Sequence, residues 1–226
     1  MRLAASCSSA VRPVLRAPAA EAVVLAGCAN ALYLRTTSDV LALVTPDALR
    51  LPCAVVSPSL PSAGPVIVGN EAIAWPGGIV SVVREWPPAR VPRVQPLPAR
   101  LAVLRHAVES VDIGLPGRLD LNSMLGRGPG LTPSGDDVLA GYLLGCRAFG
   151  AVRTAVEVYA ELTTERTTAL SAALLRHAIA GRCLPEVAAV VAALGSGDLV
   201  APVAALLRVG HTSGAALGHG LLRAAA

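Results

Sequence analysis

A chain of 226 residues can bury a sizeable core and holds one or two domains, which excludes a small disulfide-stapled scaffold. Its hydrophobic share of 54% rests on Ala, Val and Leu, with one Phe, two Trp and three Tyr, so the core must be built from small aliphatic groups, which favours closely packed helices. The formal net charge of +4 is carried almost wholly by scattered arginines; with few aromatics to stack bases, nucleic acid is a poor partner and small anions suit the arginines better.

At the N-terminus, Arg12, Pro13, Arg16 and Pro18 interrupt any apolar stretch of the kind a signal peptide needs. No uncharged apolar run approaches the roughly 18 residues of a spanning helix, so no membrane partner is expected. Cys7, Cys28, Cys53, Cys146 and Cys183 are odd in number, widely spaced and free of any CxxC pair, which argues against a disulfide framework or a zinc knuckle. A soluble protein of the reducing cytoplasm is expected.

From about residue 21 to 86 the chain reads as short apolar runs cut by turn residues: "AVVLAGC", "ALYLR", "VLALVT", "CAVVSPS", "PVIVGN", "EAIAWPGG" and "IVSVVREW". These are strand signals, with a Gly-Asn turn inside "VIVGNEAIAW" and another turn at "PGG". "WPPARVPRVQPLPAR" then holds five prolines in fifteen residues, each without a backbone donor, and reads as a linker. The expected fold class is α+β: an N-terminal antiparallel β-rich domain over 1–95, then an all-helical domain over 96–226, dividing near residues 87–98.

Beyond residue 99 the texture becomes helical: "ARLAVLRHAVESV", "DDVLAGYLLGCRAFG", "AVRTAVEVYAELTTE", "TTALSAALLRHAIAG", "LPEVAAVVAALG", "DLVAPVAALLRVG" and "GAALGHGLLRAA". Several of these close on a Gly suited to a left-handed cap. His106, His177 and His219 lie in such patterns without metal-ligand spacing and read as structural.

Between two of the helical patterns stands "GRGPGLTPSGDD" (126–137). Thr132 suits an N-cap and Pro133 the first helical position, so a helix is expected to start at Pro133 with its N–H groups and positive dipole end facing the loop Gly126–Leu131. A capped helix alone would account for Thr132 and for an acidic first turn. Three glycines before the cap and two carboxylates after it exceed that need, and a phosphate or carboxylate fits there. "PSGDDVLAGYLL" and "TSGAALGHGLLR" share a Ser-Gly start and a second Gly six residues after the first, so His211, Thr212, Ser213 and Gly214 form a second polar helix start that could face the first across a cleft. "ERTTALS" places Arg166, Thr167, Thr168 and Ser171 where a guanidinium and hydroxyls could meet an anion.

"GRGPGLTPSGDDVLAG", "RTTALSAALLRHAIAG" and "GHTSGAALGHGLL", in this order, resemble the AllH family, whose members carry a G-x-GPGLTPSGDD core. The resemblance implies a subunit of oxamate carbamoyltransferase, a transferase of allantoin (purine nitrogen) degradation that acts with two partner subunits. It covers Gly128 to Asp137, then Arg166, Thr167, Thr168 and Ser171, then Gly210, His211, Ser213 and Gly214. Two positions depart from the family pattern: Ala216 stands where an aspartate is usual, and Arg127 where an apolar residue is usual.

If the substrate is carbamoyl phosphate, the Gly128–Gly130 loop and the Pro133 helix start would hold the phosphate, with Gly128, Gly130, Leu131, Thr132, Ser134, Gly135, Thr167, His211, Ser213 and Gly214 as the expected substrate-binding residues. Arg166 would pair with the phosphate or with the carboxylate of an oxamate-like acceptor, and Asp136 or Asp137 would orient or deprotonate the acceptor nitrogen or hold Mg²⁺. Neighbours on a helix diverge by about 100°, so one aspartate should face the ligand and the other fix the loop; Asp136 is expected in the first role and Asp137 in the second. The alternative is a non-catalytic ligand-binding or assembly subunit. A lone metal-dependent hydrolase ranks last for want of further ligands.

Overall fold

The computed structural model describes residues 2–115, 123–150 and 166–226. The helical pattern expected over 151–165 lies outside them. The chain forms two compact units, Met1–Pro88 and Ala89–Ala226.

In the first unit, β1 (Arg2–Ser8), β2 (Ala20–Cys28), β3 (Ala31–Arg35), β4 (Val40–Val44), β5 (Ala54–Val56), β6 (Val66–Gly69), β7 (Ala72–Trp75) and β8 (Gly78–Trp86) close into a barrel in the order β1-β5-β4-β3-β2-β6-β7-β8. This corrects the expected antiparallel domain, although the α+β class stands. The hairpins are antiparallel as their short turns require, but β1 runs parallel to β8 from Arg2↔Ile79 to Ser8↔Trp86, and β4 runs parallel to β5. The first pair joins strands distant in sequence and the second joins consecutive strands, and apolar runs carry no mark of such pairing. Closure leaves no open sheet edge, and Cys7, Leu34, Leu41, Leu43, Val55, Ile73 and Val80 fill the interior.

A 3-10 turn and the short helix α1 (Arg12–Arg16) follow β1. The β6–β7 hairpin turns on Asn70 and Glu71, both at positive φ (50° and 61°), one step beyond the expected Gly-Asn pair. Arg12 bridges Glu71 and Glu85 at 2.7 and 3.0 Å, tying this turn to β8.

The second unit opens with the proline-rich stretch, which is anchored along the helices by bonds from Cys183 N–H to the Ala89 carbonyl, Val91 N–H to Gly181, Val94 N–H to Ala148 and Leu97 N–H to Leu194. Then come α2 (Pro98–Glu109), α3 (Ser134–Phe149), α4 (Ala169–Ile179), α5 (Pro185–Gly195), α6 (Val200–Leu207) and α7 (Ser213–Ala224). Helix α3 is the buried centre: its apolar residues occur on every side, and Gly150 closes it at a φ of 93° with a bond back to Cys146. It packs against α7 backbone to backbone. A Cβ at Gly141 would overlap the Leu217 carbonyl oxygen, and one at Gly220 would overlap that of Val138. The repeated glycines of the two Ser-Gly motifs are therefore the contact points of the helix pair.

Candidate functional site

Close packing of α3 on α7 brings their N-terminal ends together. The Thr132 hydroxyl lies 3.4 Å from that of Ser213, and the Ser134 hydroxyl 3.4 Å from that of Thr212. The two Ser-Gly starts thus form one polar cluster with their hydroxyls in contact. Helix α3 begins at Ser134, one residue later than expected, and Pro133 occupies the cap position; Thr132 directs its hydroxyl toward α7 rather than capping its own helix.

The paired aspartates leave the first turn of α3 in different directions. Asp136 is 2% exposed and internally committed: one oxygen accepts the Gly126 N–H at 2.7 Å and the other the Thr167 hydroxyl. Burial raises its pKa, and bonds from Gly126, Thr167 and Ser171 pull the other way. Asp137 is 8% exposed, and its Oδ2 is buried with no hydrogen-bond partner among the described residues. Burial pushes this carboxyl up to about 7, hydrogen bonding by Ser213 and Thr132 opposes the rise, and the charge of Asp136 adds to it. The roles expected of the two are therefore exchanged in geometry: Asp136 fixes the loop, and Asp137 has an open oxygen.

The glycine loop is held from the opposite side by the start of α4. Thr168 donates to the Leu131 carbonyl at 2.5 Å and caps α4 by accepting the Ser171 N–H at 3.0 Å; the Ser171 hydroxyl also reaches Leu131 at 3.5 Å. Gly128, Gly130 and Leu131 are exposed. Gly128 has a φ of 112°, and a Cβ there would stand 3.0 Å from the Ser134 nitrogen, so glycine keeps the approach to that N–H clear. Arg166 is exposed, and its backbone carbonyl lies against Gly126 on the turn that delivers Thr167. His211 is exposed in the turn before α7. Gly135 and Gly214 serve packing, their Cα atoms seated against the carbonyls of Met124 and Leu206.

Several helix-start donors are already taken. Gly135 N–H bonds the Arg127 carbonyl at 2.9 Å, Asp136 and Asp137 N–H both reach Pro133, Gly214 N–H bonds Val209 and Ala216 N–H bonds Thr212. Ala216 is fully buried, at the place in α7 that corresponds to Asp137 in α3. Among the described residues no three His, Cys, Asp or Glu gather as a cation cage, and for Mg²⁺ the cluster offers one carboxylate oxygen that is not already engaged, on Asp137.

The three histidines read as structural stand apart from the cluster: His106 is exposed on α2, His177 is buried beside Arg182, and His219 is bonded to the Val108 carbonyl with its pKa lowered by burial. His219 and Val138 also line a cavity of about 460 Å³ with Glu109, Met124 and Arg223. Sequence reasoning missed the Gly126 N–H that anchors Asp136 and the Leu131 carbonyl that receives Thr168. The Thr-x-x-Ser spacing of 168 and 171 signalled the cap but not its second acceptor.

Residues 124–225 match the model of a family described as oxamate carbamoyltransferase subunit AllH. The matched stretch contains all three motifs and the whole cluster, and the barrel and α2 lie outside it. No solved structure matches the chain. Among the described residues no helix is long and apolar enough to cross a membrane.

Proposed function

We propose, from the match of residues 124–225 to the oxamate carbamoyltransferase subunit AllH family, that this chain is the subunit of a cytoplasmic carbamoyltransferase complex that carries the site for carbamoyl phosphate and a small amide acid such as oxamate, in purine nitrogen catabolism. The observation that supports a reactive site here is the buried, open Oδ2 of Asp137 at the junction of two helix starts, where four hydroxyls converge. A burial penalty of this kind is kept where a ligand completes the bonding.

In this reading the exposed Gly128–Leu131 loop and the Arg166 guanidinium hold the phosphate, and His211 faces it from the α7 side. Arg166 lies two residues before Thr168, whose hydroxyl is bonded to the Leu131 carbonyl, and the Arg166 backbone carbonyl lies against Gly126 at the start of the loop. In this reading Arg166 meets the negative charge that develops on the departing phosphate, and transfer needs no covalent nucleophile on the protein.

The test is to co-purify the chain with its partner subunits and follow carbamoyl transfer from carbamoyl phosphate to oxamate, or phosphorolysis in reverse. Activity of the complex that falls at least tenfold in Arg166→Ala, with assembly intact, supports the assignment. A fully active Arg166→Ala complex assigns the phosphate site to a partner, and this chain is then a binding or assembly subunit. Ala216, apolar where the family usually has an acid, is the observation that favours that second reading.

A further inference from the structure

The geometry points to Asp137 Oδ2 as the base of this site: it accepts an N–H of the acceptor's primary amide and takes that proton as the nitrogen attacks. The inference rests on the carbamoyl-transfer reading and adds the atom that moves the proton.

The ligand class follows from what the cluster lacks and what it offers. At the start of α3 the N–H groups of Gly135, Asp136 and Asp137 are bonded to carbonyls, as are those of Gly214 and Ala216 in α7. An anion placed at Asp137 would meet few free donors and two carboxyl groups, since Asp136 lies beside it. Its open group is an acceptor. A buried acceptor is satisfied by a group that brings hydrogen, and a small primary amide brings two N–H donors with little bulk. Asp136 cannot serve, because both of its oxygens are engaged by Gly126 and Thr167. Nor does α7 supply a second acid, since Ala216 stands at the corresponding position.

The chemistry balances on these groups. The amide nitrogen attacks the carbamoyl carbon, a C–N bond forms, and the carbon–oxygen bond to phosphate breaks. The proton lost by the nitrogen passes to Asp137 Oδ2 and then to an oxygen of the departing phosphate, giving a ureido product and hydrogen phosphate. In reverse, protonated Asp137 delivers the proton to the leaving amide nitrogen. Ser213 and Thr132, whose hydroxyls touch each other and hydrogen-bond the carboxyl, orient it. With its pKa near 7, Asp137 exchanges the proton in both directions close to neutrality.

The experiment uses the assembled complex with Asp137→Asn, Ser213→Ala and Thr132→Val. Asn keeps the shape of the side chain but not its basicity, so kcat should fall roughly 100-fold or more, with inorganic phosphate binding by calorimetry unchanged. Wild-type kcat for carbamoyl transfer should rise with pH to a plateau above about 7, and the residual activity of Asp137→Asn should lose that rise. Ser213→Ala and Thr132→Val should shift the midpoint of the rise upward. Wild-type kcat in Asp137→Asn, or lost phosphate binding with normal kcat, overturns the inference and leaves the carbamoyltransferase reading in place. A complex without carbamoyl transfer that still binds oxamate through Asp137 has the opposite meaning: the amide site stands and the proposed reaction falls.

Discussion

Gly141 of α3 and Gly220 of α7 are reciprocal: each lies against the backbone of the other helix where a side chain would overlap a carbonyl oxygen. Replacing Gly141 by Ala must therefore push the helices apart, because the obstacle is Leu217 backbone and not a flexible side chain. The expected loss is about 3 kcal/mol in urea unfolding. The Thr132–Ser213 and Ser134–Thr212 contacts should open with it, so the complex should lose activity together with stability. An Ala variant with wild-type stability would mean that the helix pair can slide without cost.

Asp136→Asn should destabilise the second unit by about 1 to 3 kcal/mol. Asn presents an NH₂ group to one of two donors that the carboxylate now satisfies, the Gly126 N–H or the Thr167 hydroxyl. Thr167→Val should show the same direction with a smaller drop. Thermal melts at pH 7 check both, and an unchanged melting temperature in Asp136→Asn would remove these bonds from any role in fixing the loop.

Asp137 gives stability a pH dependence of definite sign. Its carboxyl is raised from 3.8 to about 7 in the folded chain, so between those values the folded state holds a proton that the unfolded state has released. This contribution is full below about 4 and is lost as pH rises to about 7, at no more than about 1.4 kcal/mol per pH unit. Asp136, the neighbouring charge that acts on it, is shifted in the same direction and adds to the fall. Asp137→Asn should flatten the curve, and urea unfolding at pH 4, 5.5 and 7.5 should find the variant gaining on the wild type as pH rises. Parallel curves for the two proteins would deny the raised pKa.

Gly128→Ala should affect activity more than folding. Its φ of 112° disfavours a side chain by about 1 to 2 kcal/mol, and the added methyl would crowd the Ser134 N–H. Gly130→Ala is the control, since a Cβ there meets open space although its φ is 93°. Phosphate affinity in the complex should drop more for the first substitution than for the second.

The helical unit was largely legible because its signals are local. Helical periodicity, the Gly stops and the two Ser-Gly starts all act within one or two turns, and the spacing from Gly135 to Gly141 and from Gly214 to Gly220 marked helices built alike. The barrel was only half legible. Hairpins such as β6–β7 announce themselves in the turn, but the pairing of Arg2–Ser8 with Gly78–Trp86 joins strands more than seventy residues apart and leaves no mark in either run. The aspartate roles could not be read for a related reason. A helical wheel separates Asp136 from Asp137 by about 100°, yet which side meets Thr167 depends on where α4 begins, and that is a tertiary fact.

The parallel union of β1 with β8 also sets an order in time. On a ribosome, residues 2–8 emerge before their neighbours in the barrel, β5 and β8, which are not made until residues 54–56 and 78–86 follow. At ordinary translation speed that delay is on the order of ten seconds. During this interval a strand whose Ala5 and Cys7 end up buried has no partner, so this segment is the one a nascent-chain chaperone would meet unpaired.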